Sequence, residues 1–167
     1  MTIILGIDPG SRVTGYGVVR TERHRVSYLA CGSIRLGNGA LADRLSLLFD
    51  ELSRIIDLYS PAEAAVEKVF MNRNADSALK LGHARGVAIV AAGRAGLAIS
   101  EYSATQIKQT VVGRGHADKA QVQHMVTALL GLDDTPKPDA ADALAAAICH
   151  GHMRDGLARL AMAGART

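Results

Sequence analysis

The sequence predicts an α/β fold, a mixed five-stranded sheet made of an antiparallel β-meander plus parallel strands, with helices on both faces. Apolar runs of strand length open the chain in quick succession, separated by short turns. After about residue 40 the apolar spacing changes to the three-and-four repeat of amphipathic helices, and strand-like and helix-like segments then alternate. The resulting order, β-β-β-α-β-α-β followed by helices, is typical of a mixed sheet covered on both sides.

The first three predicted strands form the meander. They cover residues 3 to 8, 13 to 20 and 26 to 36. Pro9-Gly10-Ser11 provides the turn between the first two, because glycine and proline favour tight turns. Gly15 and Gly17 thin the inner face of the second strand. Short connections between these strands predict antiparallel pairing.

The later elements are predicted from helical periodicity and from capping residues. We predict helices at 41 to 59, about 74 to 92, 103 to 112, 118 to 131 and about 139 to 152, and strands at 62 to 67 and 97 to 102. Pro61 ends the first helix, and Asn74 is a good N-cap for the second. Asp118, followed three residues later by Gln121, predicts a capping box, and Gly131 closes that helix.

Length and composition favour one domain without a membrane segment. The chain has 167 residues, long enough for its own core, and no run of about 18 apolar residues. We expect one domain over residues 1–153 and a loosely ordered tail over 154–167. The start lacks the basic region of a signal peptide. Cys31 and Cys149 form no CxxC motif, which favours a reducing, cytoplasmic location.

Four acidic residues lie where apolar or alanine-rich segments should exclude charge. Asp8 and Glu67 close predicted strands, while Asp139 and Asp142 begin the alanine-rich last helix and share one face of it. If the first strand lies beside the one that ends at Glu67, the two acids occupy neighbouring carboxyl ends, where open α/β sheets bind ligands. Clustered, partly buried carboxylates are costly unless a cation is bound, so the pattern predicts a metal site.

Oxygen ligands without nearby cysteine or histidine favour Mg²⁺ or Mn²⁺, because these are hard cations. Two such ions about 3.5 to 4 Å apart can support hydrolysis of a phosphodiester. Each acid also has a structural explanation: Asp139 and Asp142 suit a helix N-terminus, Glu67 has Lys68 beside it, and Asp8 suits a turn. The coincidence of all four favours the metal site.

The charge distribution is compatible with a polyanionic partner. The formal net charge is +3, from 19 basic and 16 acidic side chains. If the four candidate ligands are neutralised by metal, the 12 remaining acids leave an excess of +7 that suits attraction to phosphates. A charge of +3 that only maintains solubility remains an equal alternative.

Four segments together resemble the RuvC family of bacterial Holliday-junction resolvases. They are Gly6 to Gly17, Glu67 to Phe70, Asn74 to Gly82 and Pro138 to Ala145. The similarity covers about residues 2 to 153, with the motifs in the order and spacing of the family. The resemblance implies an RNase H-like fold and a homodimer that makes two symmetric nicks in four-way junction DNA. It also implies Mg²⁺ dependence and partnership with RuvA and RuvB, and it identifies the four carboxylates with the catalytic residues of the family.

Two groups of residues are candidates for DNA contact. Phe70 follows the strand that ends at Glu67, where an exposed aromatic can stack on bases, although a lone phenylalanine is more often a core residue. Arg73 and Asn74 follow in the same loop and can contact base edges or phosphates. The resemblance implies that the aromatic stacks at the junction centre.

The second group is basic and surrounds the glycine-flanked loop at residues 113 to 115. It consists of Lys108, Arg114, His116 and Lys119. A loop before a helix N-terminus suits phosphate binding, although such a basic run is commonly just a solvated surface. The resemblance implies that Lys108 and Lys119 lie near the scissile phosphate.

Two other functions compete with a junction endonuclease. A non-catalytic junction-binding protein would explain the basic balance and the Phe70 loop, but it has no need of four carboxylates. An actin-like nucleotide-binding fold also begins with Gly-Ile-Asp-x-Gly-Ser, yet it requires a second lobe and a second phosphate motif, which these 167 residues do not contain.

Overall fold

The computed structural model describes residues 1–22, 25–68 and 75–164, without the side chains of residue 155 and of 157–164. The strands are β1 (Thr2–Asp8), β2 (Val13–Glu22), β3 (Arg25–Arg35), β4 (Glu63–Lys68) and β5 (Ala98–Ser103). The helices are α1 (Leu41–Tyr59), α2 (Ala75–Arg94), α3 (Ala104–Val112), α4 (Lys119–Leu130) and α5 (Pro138–Gly164). Every predicted strand and helix is present, with ends that differ by a few residues except in α5.

The five strands form one mixed sheet in the order β3-β2-β1-β4-β5. The first three strands pair antiparallel, whereas β4 lies parallel to β1 and β5 parallel to β4. The predicted meander plus parallel strands is therefore confirmed. Because Ile7 pairs with Val66, the next residues, Asp8 and Glu67, meet at the same edge of the sheet.

Helices cover both faces of the sheet, as predicted. One core lies under α1 and α2, and the other lies under α3, α4 and α5. The alternation along β4 separates them, since Ala64 and Val66 face the first core and Ala65 faces the second. Glu63 and Glu67 share the side of Ala65, so both face the layer that contains α5.

Glycines in β1 and β2 let α5 approach the sheet very closely. A Cβ atom at Gly6 would lie 2.0 Å from the carbonyl oxygen of Ala143, and one at Gly15 would lie 1.9 Å from the carbonyl oxygen of Asp139. No side chain fits at these distances. Glycine is thus required at both positions, and the thin inner face predicted for β2 is the face on which α5 rests.

Local capping signals explain the starts of α3 and α4. Asp118 and Gln121 form the predicted capping box, and Ser103 and Gln106 form a second one. Gly131 ends α4 in the left-handed conformation, as predicted. The predicted cap Asn74 lies outside the described residues.

The last helix is longer than predicted. The sequence predicts its end at about residue 152, but α5 continues to Gly164. Loose order of residues 154–167 and a domain boundary near 153 remain predictions. Within the described part of the chain, no helix is long and apolar enough to span a bilayer.

Candidate active site

Three of the four candidate carboxylates line one small cavity at the edge of the sheet. The cavity has a volume of about 200 Å³ and lies between β1, β4, α3, α4 and α5. Its polar lining comes from Asp8, Glu67, Asp142, Lys108 and Lys119. Two predicted lysines therefore face the predicted acids across the same space.

Asp139 does not line this cavity but lies close to it. Its backbone packs directly over Gly15, and Gly15 is the residue of β2 that pairs with Asp8. The charge of Asp139 contributes to raising the pKa values of Asp8 and Asp142. The fourth carboxylate thus belongs to the same electrostatic cluster.

The local fold holds Asp8 in an unfavourable place for a charge. Burial, followed by the negative charges of Glu67 and Asp142, raises the pKa of Asp8 to about 8. The loop after Asp8 is fixed by the fully buried Thr14, whose hydroxyl lies 3.2 Å from both the backbone nitrogen and the carbonyl oxygen of Gly10. These contacts order the turn that follows Asp8.

The other two cavity carboxylates are also destabilised as anions. Burial, and then the charge of Asp142, raises the pKa of Glu67 to about 6. Burial also raises the pKa of Asp142, although Lys119 opposes this rise. A bound cation would relieve all of these costs at once.

The two lysines compensate the acids unequally. Nζ of Lys119 lies 3.3 Å from Oδ2 of Asp142, and the charge of Asp142 is the main reason why the pKa of Lys119 is raised. Lys108 acts less directly, by lowering the pKa values of Glu67 and Asp142. Negative charge therefore exceeds positive charge in the cavity when all groups are ionised.

The donor chemistry suits a hard divalent cation. The cavity offers carboxylate oxygens and contains neither histidine nor cysteine. In the described part of the chain, no three His, Cys, Asp or Glu side chains are arranged closely enough to hold a metal ion as they stand.

The remaining predicted DNA contacts divide into two sets. Arg114 and His116 are exposed in the connection between α3 and α4, outside the cavity but on the segment that leads to Lys119. Phe70, Arg73 and Asn74 lie outside the described residues.

Sequence reasoning missed a partly buried polar cluster about two helical turns from the site. No role was assigned to His150 from the sequence, but in the structure His150 contacts Glu63 and Tyr102. Glu63 shares a strand with Glu67, and Tyr102 pairs with Glu67 across the sheet. Asp142 and His150 are eight residues apart and about 80° from each other around a helix, so helical spacing alone would not have identified His150.

A larger groove lies elsewhere among the described residues. It has a volume of about 1010 Å³ and separates β3 from the connection between α4 and α5. None of the predicted site residues that the structure describes lines it. Size alone therefore does not identify the functional site in this fold.

Comparisons with known proteins agree closely with one another. The family model described as crossover junction endodeoxyribonuclease RuvC matches residues 4–150. The proteins of that name from Marinobacter nauticus and Aeromonas salmonicida are 58% and 62% identical to this chain. The first alignment covers 99% of this chain and 95% of the relative, and the second covers 96% and 93%.

Solved structures show the same similarity. The chain matches Thermus thermophilus RuvC, solved in complex with Holliday junction substrate, with a TM-score of 0.86 and 33% identity. The match covers 93% of this chain and 97% of that one. The five-stranded sheet and its helices thus have the RNase H-like arrangement expected from the sequence.

Proposed function

The chain belongs to the RuvC family of crossover junction endodeoxyribonucleases, and from this we propose that it resolves Holliday junctions in recombination and DNA repair. The reaction is the hydrolysis of phosphodiester bonds at a four-way DNA junction by two paired, symmetric nicks. The observation that carries the proposal is the cavity in which Asp8, Glu67 and Asp142 meet two lysines. Such a site combines ligands for divalent cations with cations suited to phosphate.

We assign the binding of Mg²⁺ to Asp8, Glu67, Asp139 and Asp142. Two ions per site would suit four carboxylates, and Mn²⁺ can substitute because it prefers the same oxygen ligands. When bound, the ions would supply Lewis-acid stabilisation of the reacting phosphate and a more acidic water. The raised pKa values of Asp8 and Glu67 support this assignment, since these anions lack sufficient compensating charge in the protein alone.

Lys119 and Lys108 act on the DNA rather than on the metal. Lys119 pairs with Asp142 in the free protein. Once Asp142 is bound to a cation, the ammonium group is available to a phosphate oxygen of the DNA. Lys108 faces the same cavity and would add positive charge where negative charge develops in the transition state.

Residues farther from the cavity would hold the junction. Phe70 is proposed to stack on bases at the junction centre, with Arg73 and Asn74 contacting bases or phosphates nearby. Arg114 and His116 are exposed beside the start of α4, where phosphates can approach the helix N-terminus. These contacts would position the strand so that one phosphate enters the cavity.

Two equivalent strands must be cut, so we propose that the protein acts as a homodimer. RuvA and RuvB, the branch-migration proteins, are the proposed partners at the junction, and the cytoplasm is the proposed location. Residues 1–153 would form the nuclease domain, with 154–167 as a loosely ordered tail. The homodimer is supported by an exposed apolar stripe on α2 that contains Leu79 and Val90.

A labelled four-way junction tests the proposed activity. The protein is incubated with the junction in Mg²⁺ and, separately, in chelator, and both labelled strands are analysed for nicks. We expect symmetric paired nicks in Mg²⁺ and intact, bound junction in chelator. Binding without nicking in both conditions would instead identify a non-catalytic junction-binding protein.

Replacement of Asp8 tests the site. Asp8→Asn keeps the size of the side chain but removes a ligand charge, so we expect cleavage to fall by at least about 100-fold while junction binding in chelator is unchanged. Asp50→Asn, at an exposed position of α1, is the matched control and should cut normally. Loss of junction binding together with cleavage would mean that Asp8 has a structural role.

A further inference from the structure

A partly buried polar cluster, centred on the buried His150, joins α5 to the sheet about two helical turns beyond Asp142. His150 is only 6% exposed, and both of its ring nitrogens have partners. Nε2 lies 2.6 Å from Oε2 of Glu63, and Nδ1 lies 2.7 Å from the hydroxyl oxygen of Tyr102. Nε of Arg154, one turn farther along α5, lies 2.9 Å from Oε1 of Glu63. Two side chains of α5 thus hold both oxygens of one carboxylate on β4.

The spacing of this contact matches the spacing of the active-site acids. Glu63 and Glu67 are four residues apart on one face of β4, or about 13 Å along a strand. Asp142 and His150 are eight residues apart on α5, or about 12 Å along a helix. The helix runs opposite to β4, since Asp142 shares the cavity with Glu67 while His150 contacts Glu63. The pairing of Glu63 with His150 therefore brings Asp142 level with Glu67.

The surrounding interface controls the position of α5 in a different direction. Where the helix crosses β1, Gly6 meets the backbone at Ala143 and Ala147. Glycine and alanine form shallow ridges, so they determine how closely α5 approaches the sheet more strongly than where it lies along the strand. The directional contacts at His150 add a constraint along the strand to the packing of Leu144 and Ile148 in the same core.

We propose that His150 is a positioning residue of the active site, which, with Glu63 and Tyr102, fixes α5 along β4 and so sets the distance between the helix and sheet carboxylates. This inference rests on the proposed nuclease function and adds a determinant of its metal site. Without the contact, α5 can shift by about 1 Å, and a displacement of that size is enough to lower the rate of an enzyme about 100-fold.

The test compares two changes at Glu63. Glu63→Leu removes both oxygens, whereas Glu63→Gln keeps an oxygen that accepts a hydrogen bond from Nε2 of His150. We expect Glu63→Leu to need on the order of tenfold more Mg²⁺ for half-maximal junction cleavage. We also expect Mg²⁺ to raise its unfolding temperature less than that of the wild type in the absence of DNA. Junction binding in chelator should be unchanged, and Glu63→Gln should stay close to the wild type in each measurement.

Glu101→Leu is the control for general loss of stability. It breaks the ion pair between Glu101 and Arg85, which joins β5 to α2 on the opposite face of the sheet. All cleavage is measured well below the unfolding temperature of every variant. If Glu63→Leu does not fold, Tyr102→Phe removes one hydroxyl from the cluster and should raise the Mg²⁺ requirement in the same direction by a smaller factor.

Two results would overturn the inference. One is an unchanged Mg²⁺ requirement in the folded cluster variants, and the other is an equal increase in Glu101→Leu. Failure of the proposed function is distinct from both, because in that case the wild-type protein would not cut the junction at all.

Discussion

The acidic side chains of the cavity are only partly neutralised by its two lysines. Lys119 contacts Asp142 directly, and it lowers the pKa of Asp8 less than burial, Glu67 and Asp142 together raise it. In the free protein, positive charge therefore does not compensate the cost of burying the Asp8 anion. Lys119 also forms an ion pair with Asp142, one of the carboxylates to which we assign metal binding. We therefore expect Lys119 to compete with the cation in the free protein and to be available to phosphate in the complex.

Replacement of Lys119 should separate these two roles. In Lys119→Met the ammonium no longer competes for Asp142, so we expect half-maximal cleavage at a lower Mg²⁺ concentration. The maximal rate should nevertheless fall by about 100-fold, because a cation beside the reacting phosphate is lost. Cleavage rates measured over a range of Mg²⁺ concentrations give both quantities.

Lys137→Met is the matched control, at an exposed position in the connection before α5. It should change neither quantity. An unchanged maximal rate in Lys119→Met would contradict the proposed contact with the reacting phosphate.

At the scale of helices and strands, local signals were readable from the sequence and long-range contacts were not. The capping box of Asp118 and Gln121 depends on four consecutive residues, and it was predicted correctly. The role of His150 depends on where α5 lies along β4, which no local pattern contains. Likewise, the prediction of α5 rested on the alanine-rich segment before residue 152. The continuation of the helix to Gly164 was therefore not predicted. The candidate acids were identifiable because their charge contrasts with the apolar residues beside them.

The close approach of α5 to β1 requires glycine at position 6, which a substitution can test. Gly6→Ala would place a methyl group 2.0 Å from the carbonyl oxygen of Ala143, so α5 must move or the strand must distort. We expect a loss of stability of about 3 kcal/mol, comparable to severe overpacking of a core, and a cleavage rate reduced at permissive temperature. Denaturant unfolding and junction cleavage measure the two effects.

The matched control is Gly93→Ala on α2. A Cβ atom there has its nearest neighbour at 3.8 Å, an ordinary contact. We expect this change to stabilise the protein by about 0.5 to 1 kcal/mol, because alanine favours helix more than glycine does. If both variants had the same stability, the close packing of α5 on Gly6 would not be a feature of the folded protein.

An exposed apolar stripe on α2 is a candidate surface for self-association. Leu79 is 65% exposed and Val90 is 52% exposed, and the exposed Gly82 and Gly86 lie between them at helical spacing. Small residues between apolar ones allow two helices to approach closely, so we expect this stripe to form part of the homodimer interface. Leu79→Glu should convert the dimer to a monomer and abolish paired nicking, as measured by light scattering and by junction cleavage.

Leu58→Glu on α1 is the control, since Leu58 is 67% exposed and apolar but lies outside the stripe. It should remain dimeric and active. A dimer in Leu79→Glu with normal paired nicking would place the interface elsewhere.

For the whole molecule, the active site links stability to pH and to metal. The pKa of Asp8 rises from 3.8 to about 8 on folding, and that of Glu67 rises from 4.5 to about 6. Between these values the folded protein keeps protons that the unfolded chain has released. The contribution of these groups to stability is therefore most favourable below about pH 4 and becomes less favourable as the pH rises towards 8. A divalent cation replaces the protons and should restore stability where they are lost.

Thermal unfolding of the wild type and Asp8→Asn at pH 5 and pH 8 tests this linkage. In chelator, Asp8→Asn should unfold at a higher temperature than the wild type, by on the order of 5 °C at pH 8 and by less at pH 5, because asparagine carries no charge to bury. Mg²⁺ should raise the unfolding temperature of the wild type more at pH 8 than at pH 5, and that of Asp8→Asn by less at both. Asp50→Asn should follow the wild type throughout. An identical pH dependence in the wild type and Asp8→Asn would show that folding does not destabilise the Asp8 anion. The metal affinity of the site would then depend on the other three acids.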